Sequence, residues 1–310
     1  MANQSRYPGL QPFTTSQKHL FFGRDADIQR LAERVVSEKL TVLYSKSGYG
    51  KSSLINAGLI PALENEPDDK WKIIKIRFGS YFDENQPSPL KTTFAFTKDL
   101  TETQYSFYLD KLCPDDDIIK NSLWYRFKKM QDNHGLDTKY CIVFDQFEEL
   151  FSYPVNQVKE FQQELARLLN HLIPQGIIIP LKEAIANQTE LLSVAEIAKC
   201  YQPVNIHVVM SIRSDRMSLL NRMSSDIPDV LTNCYELAAL DKEQALKAIL
   251  TPASLEGDFN SPQFEYEREA LEKILEALAP GNSNAIEAFQ LQVICQYAEQ
   301  KILDKKIANA

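Results

Sequence analysis

From Ser45 to Ser53 the chain reads SKSGYGKSS. Gly50, Lys51 and Ser52 fit the last three positions of the phosphate-binding loop pattern G-x-x-x-x-G-K-[ST], and Ser45 stands where that pattern has its first glycine. Such a loop wraps phosphates with backbone N–H groups, reaches the β- and γ-phosphates with its lysine and offers a hydroxyl to Mg²⁺. Gly48 and Gly50 permit the positive-φ turns and the close backbone approach this requires. Lys51 is the cation and Ser52 the metal hydroxyl, while Ser47, Tyr49 and Ser53 complete the stretch expected to touch nucleotide. The helix expected to open here adds the positive end of its dipole. Serine at 45 costs conformational freedom but removes no ligand, so the loop is expected to work.

The carboxylates such a site needs lie in CIVFDQFEELF, residues 141–151. An apolar strand ending in Asp145 has the Walker B form, with Asp145 expected to hold Mg²⁺ through water. One of Glu148 and Glu149 is expected to activate the attacking water as general base. A further apolar run, VVMSIRSD, ends near Arg213. Its guanidinium either senses the γ-phosphate and stabilises transition-state charge or simply pairs with Asp215; the local sequence leaves both open. The guanine-reading motif N-K-x-D is absent, which leans the base towards ATP.

Strands and helices must hold these groups in place. RDADIQRLAERVVSEK carries Ile28, Leu31, Val35 and Val36 at helical spacing. LTVLY then reads as a buried strand and KSSLINAGLIPALE as a helix, which is the strand–loop–helix setting the motif demands. Further strands are expected at 71–78, at KYCIVFD, at VNIHVVMSIRSD and, as a short fifth, at CYELAAL. Helical material is expected over about 90–131, in VNQVKEFQQELARLLNHL, and in an insertion around 173–203 with a helix at about 186–200. From Asp241, a good N-cap, the pattern turns all-helical. The expectation is an α/β fold, a parallel sheet sandwiched by helices, over residues 1–240, with a small helical lid over 241–310.

Bulk properties exclude other classes. The 310 residues are 44% hydrophobic and 25% charged, an ordinary globular composition, and the net charge is -8. That charge, with no helix-turn-helix or basic aromatic stretch, gives no direct nucleic-acid signal. The five cysteines form no C-x-x-C pair and the four histidines no H-E-x-x-H motif, so reduced thiols in a cytoplasmic protein are expected. Neither a signal peptide nor a run of ~18 apolar residues appears, so no membrane association is expected.

Several separate stretches together resemble the bacterial novel STAND class of signal-transduction NTPases, relatives of NACHT and AAA+ ATPases. They are YPGLQPF (7–13), LFFGRDADIQRL (20–31), the loop and its helix (45–63), IVFDQFEELF (142–151), VVMSIRSDRMSLL (208–220) and YELAALDKEQALKAILTPA (235–253), with a weaker one at 285–300. The resemblance implies an ATP-driven switch with an ADP-bound resting form and an oligomeric ATP form. It places Phe22, Gly23 and Arg24 near the nucleoside, matches Arg213 to a sensor arginine, and favours Glu148 as base with Glu149 as alternate. Relatives often act in antiviral defence and carry effector and sensor modules. Here the motifs fill the chain almost end to end, so those modules are expected elsewhere in a longer protein or in separate chains. Many relatives also have a tail proline that touches adenine; around Ala288 this chain has none. Other readings are a non-hydrolysing nucleotide-binding scaffold and, with less support, a DNA-linked AAA+ motor.

Overall fold

Five apolar runs pair as parallel strands, and the amphipathic segments between them cover both faces of the sheet. The computed structural model describes residues 4–67, 69–101, 107–113, 116–279 and 284–308. The strands are β1 (Leu40–Ser45), β2 (Lys70–Ile76), β3 (Thr138–Phe144), β4 (Ile206–Arg213) and β5 (Cys234–Glu236), in the order β2-β3-β4-β1-β5. All four pairings are parallel. β4 therefore separates the strand before the phosphate loop from the strand before Asp145. Ser45 pairs with Arg213, and Phe144 pairs with Met210 on one side and Ile76 on the other. The C-terminal ends of β1 to β4 thus form one edge, where open parallel sheets bind ligands.

Alternation along each strand explains the two-sided core. Ile142 and Phe144 face a cluster with Phe127, Phe161 and Leu165, whereas Cys141 and Val143 face one with Leu31, Leu54 and Leu59. The first cluster packs under the helices Leu123–His134 and Val155–Leu169, the second under Asp25–Ser37 and the helix after the phosphate loop. Strands buried on both faces read as continuous apolar runs, which is how the sequence presents them.

The helix after the loop runs in three parts: α over Lys51–Ser53, π over Leu54–Leu59 and α over Ile60–Glu64. A π stretch so near a candidate site is a recurrent association.

The helical expectation over 90–131 resolves into Pro89–Thr101, Asp117–Lys120 and Leu123–His134, with a 3₁₀ turn at Tyr108–Lys111; its residues 102–106 and 114–115 lie outside the described residues. Residues 280–283 and 309–310 of the expected helical tail do so as well.

The insertion differs from expectation. It holds two helices, Gln175–Ala186 and Val194–Tyr201, where the sequence suggested one over about 186–200. Consecutive β-branched Ile177, Ile178 and Ile179 followed by Pro180 argue against a helix locally. Tertiary packing overrides that, because Ile177 and Leu181 are buried with Phe107, Ile119, Trp124 and Cys200 in a satellite core. The second helix starts as sequence rules allow, with Ser193 and Glu196 forming a capping box.

Beyond Asp241, itself an N-cap to Gln244, the helices Lys242–Ser254, Arg268–Leu278 and Ala288–Ala308 share a core. Tyr7 from the other end of the chain is fully buried in that core.

Candidate functional site

A cavity of about 440 Å³ opens at the C-terminal edge of the sheet. Ser47, Gly48, Tyr49, Gly50, Lys51, Ser52 and Ser53 all line it, with Asp145, Glu148 and Arg213. Residues far apart in sequence therefore meet at one place.

The loop takes the form its glycines allow. Gly48 and Gly50 have φ of +84° and +98°, values an L side chain rarely adopts. Ser45 is ordinary extended strand and needs no glycine. Its hydroxyl donates to Lys46 O at 2.8 Å and accepts from Lys51 Nζ at 3.1 Å, and its carbonyl accepts from the same ammonium at 3.1 Å. Burial lowers the Lys51 pKa, opposed by the charges of Glu148 and Asp145.

Ser52 Oγ donates to Asp145 Oδ1 at 3.1 Å, so the hydroxyl and carboxylate expected to hold Mg²⁺ are side by side. Among the described residues no group of three or more His, Cys, Asp or Glu forms a metal cluster. A hard cation held by one carboxylate and one hydroxyl takes its remaining oxygens from phosphate and water, which is the usual Mg²⁺ arrangement beside a nucleotide. The donor set fits.

After Asp145 the chain turns sharply at Gln146, a non-glycine residue in the left-handed region with φ of +57°. That turn starts the 3₁₀ segment Phe147–Ser152 and parts the two glutamates. Glu148 faces the cavity, and its Oε2 is buried with no hydrogen-bond partner. Burial raises its pKa, opposed by the backbone N–H groups of Glu148 and Arg213 and by the Lys51 charge. A buried carboxylate oxygen without a partner, in a cleft with a perturbed pKa, marks a functional candidate. Glu149 does not line the cavity. It pairs with Arg77 at 3.0 Å and accepts the Gly79 N–H at 2.9 Å. Arg213 meets both readings of its sequence, since it lines the cavity and its guanidinium is paired with Asp215 at 2.9 and 3.0 Å. That pair is well exposed, and such pairs are weak and easily exchanged.

Phe22 also lines the cavity but Gly23 does not. Gly23 has φ of +83°, and a Cβ there would lie 2.2 Å from Gln244 O, so it serves a close approach to the helix Lys242–Ser254. Arg24 borders the cavity with its guanidinium already engaged: it donates to Asp27 at 2.9 Å, to Tyr49 O at 3.0 Å and to Ala238 O at 2.9 Å. It is a buried clamp on the phosphate loop.

Sequence reasoning missed several lining residues. Gly9 to Phe13, Lys75, Arg77, Gln146, Phe289 and Gln292 all contribute. Lys75 and Arg77 follow from strand position, because they end or follow β2 at the same edge as the motifs. Nothing local marks Phe289, whose N–H donates to Gly48 O at 3.0 Å and seats the last helix on the loop.

The sequence profile of novel STAND NTPase 1 matches residues 7–286. The chain belongs to that family. This STAND NTPase thus keeps the P-loop NTPase fold, and two known structures agree. It superposes on Cdc6p from Pyrobaculum aerophilum with a TM-score of 0.51 and 14% identity, covering 90% of this chain and 62% of that one. The Aeropyrum pernix ORC2 protein, determined in ADPNP-ADP complexes, gives a TM-score of 0.50 and 14% identity, covering 92% and 68%. The Walker-type ATPase of Pyrococcus abyssi overlaps with a TM-score of 0.48 at 14% identity, covering 96% and 73%. No curated protein sequence matches this chain. Among the described residues no helix is long and apolar enough to cross a membrane.

Proposed function

We propose that this STAND NTPase is a regulatory ATPase in which Mg-ATP binding and slow hydrolysis switch a resting ADP form to a self-associating form. The convergence of Lys51, Ser52, Asp145 and Glu148 on one cavity, with Glu148 Oε2 unpartnered, is the observation that carries the reading. The phosphate-loop amides and Lys51 hold the phosphates, and Ser52 and Asp145 hold the metal. Bound Mg²⁺ neutralises charge on the phosphate oxygens. Glu148 orients the attacking water and accepts its proton. Arg213 exchanges Asp215 for the γ-phosphate, and Phe22 packs against the nucleoside. Residues 1–240 act as the NTPase domain and 241–310 as its lid, closing through Ala288 and Phe289 without the tail proline. The proposal extends to effector and sensor modules, in the same longer protein or in separate chains, and to a role in antiphage defence, on the resemblance given above.

Purified protein tests this directly. Denaturation should release co-purified ADP, and ATP with Mg²⁺ should give slow turnover and a larger species by light scattering. Lys51→Ala should weaken nucleotide binding by about 100-fold, as expected for losing a charge-assisted contact to phosphate. Wild-type protein that binds neither ATP nor ADP would sink the proposal. Tight binding with no turnover, indifferent to Glu148→Gln, would instead make the chain a non-hydrolysing scaffold.

A further inference from the structure

Lys75, at the end of β2, was not singled out by its sequence, yet it sits at the metal carboxylate. Its ammonium lies 3.1 Å from Asp145 Oδ2, while Ser52 holds Oδ1 at 3.1 Å. Both oxygens of the one carboxylate at the candidate metal position are therefore engaged by the protein itself. Asp145 is almost fully buried and Lys75 about two-thirds so, which makes this contact less screened than the surface pairs. Lys75 has a second partner, Asn56 Oδ1 at 2.6 Å. Asn56 belongs to the π stretch of the phosphate-loop helix, and its amide in turn donates to Phe13 O at 2.8 Å in the N-terminal segment.

We infer that Lys75 is a built-in cation that occupies Asp145 and competes with Mg²⁺ for it. A divalent ion docked on Asp145, directly or through its water shell, and an ammonium 3.1 Å from the same carboxylate repel each other, so each weakens the other's hold. Loading of the metal–nucleotide complex therefore moves Lys75 off Asp145, with Asn56 as the partner that keeps it. Because Asn56 also holds Phe13, the exchange is felt by the N-terminal segment that lines the cavity. The lysine acts as a positioning residue: it sets the Mg²⁺ concentration at which the site fills, and it is not a ligand of the nucleotide. The inference rests on the nucleotide-binding reading above.

A fluorescent ADP analogue separates the outcomes, since ADP avoids turnover. Its binding is measured in EDTA and then across a Mg²⁺ titration, in wild type, Lys75→Met and Lys75→Arg, with thermal melting to show that each is folded. Lys75→Met should lower the Mg²⁺ midpoint roughly fivefold, the size expected for removing one partly exposed competing charge. Lys75→Arg should keep the wild-type midpoint. An unmoved midpoint in Lys75→Met overturns the inference and leaves Lys75 a structural residue. Equal weakening in EDTA and in Mg²⁺ overturns it too and makes Lys75 a phosphate ligand. Wild-type protein that binds no ADP in either condition brings down the nucleotide reading, and this inference with it.

Discussion

At the phosphate end of the cavity, Lys51, Asp145 and Arg213 stand at or just beyond the C-terminal ends of three adjacent strands, β1, β3 and β4. Other lining residues, Gly9 to Phe13 with Phe289, Leu291 and Gln292, come from the two extremes of the chain and close on the phosphate loop, Phe289 at Gly48 O and Phe13 at Ser53 Oγ. The first set is held by sheet register: Ser45 opposite Arg213 and Phe144 opposite Met210 fix where the side chains emerge. The second set is held by contacts spanning more than 240 residues, such as Arg6 with Pro252 and Tyr7 with Ile249. A rigid sheet edge suits chemistry that tolerates little misplacement. A seam between chain ends suits closure and release, because it opens without disturbing the strands.

The contrast predicts that a change to the groups that activate water at the sheet edge should alter rate with little change in affinity, and that a change at the seam should alter affinity with little change in rate. The largest effect should come from Glu148→Gln. Loss of a general base lowers turnover by about 10²- to 10⁴-fold, and nucleotide affinity should stay within about threefold of wild type, since the substitution keeps shape and removes no phosphate ligand. Glu149→Gln should lower turnover far less, because Glu149 is bound to Arg77 and Gly79. A larger loss in Glu149→Gln would reverse the two roles. The pH profile sharpens the assignment. Burial raises the Glu148 pKa, so its protonation sets in at higher pH than for an ordinary glutamate near ~4.3. Only the carboxylate accepts a proton, so turnover should fall as pH drops through that raised value. The acid limb should vanish in Glu148→Gln.

The same contrast explains what the sequence could and could not reveal. Asp145 and Lys51 announce themselves because phosphate chemistry needs fixed residue types at fixed offsets from a strand end. Arg213 is legible as a strand-end cation, and its exposed pairing with Asp215 shows why local sequence could not choose between its two readings. The choice between Glu148 and Glu149 depends on the left-handed turn at Gln146, for which a glutamine gives no signal. Arg24 sits in a matching motif, yet its guanidinium is consumed by Asp27, Tyr49 and Ala238, and two of those acceptors are carbonyls that no side-chain pattern records. The strands were legible because burial on both faces leaves continuous apolar runs. The helix Gln175–Ala186 was not, because its Ile run and Pro180 argue locally against the packing that holds it.

The seam is tested by Arg6→Ala. The Arg6 guanidinium is buried and donates to Pro252 O at 2.7 Å, Leu255 O at 2.8 Å and Ser261 Oγ at 3.0 Å, over the ring of Phe259. Alanine leaves those acceptors without their donor, at about 1–3 kcal/mol each where water cannot enter. The tail should loosen first, with a melting temperature several degrees lower. Nucleotide affinity should fall about tenfold, as when ordering must be supplied on binding, while turnover at saturating ATP stays near wild type. A fall in turnover with unchanged affinity would break the division between edge and seam, since it would show the chain ends positioning the reacting groups.

The smallest effect should come from Ser45→Gly, which restores the usual first glycine of the loop. Two consequences oppose each other. Glycine at the end of β1 adds freedom to the unfolded chain and destabilises by roughly 0.5–1 kcal/mol. It also removes the hydroxyl that holds Lys51 Nζ at 3.1 Å, so the ammonium has one partner fewer to leave when phosphate arrives. Ser45 is extended and buried, so the backbone gains no conformation the fold needs. Nucleotide affinity, measured by titration, should therefore rise by less than about threefold, the size of part of one ordinary hydrogen bond. A rise beyond tenfold would make Ser45 a stronger restraint on its lysine than the roughly fivefold one expected of Lys75 on Asp145. A fall would mean that the hydroxyl positions Lys51 for phosphate, and that the serine is part of the site in its own right.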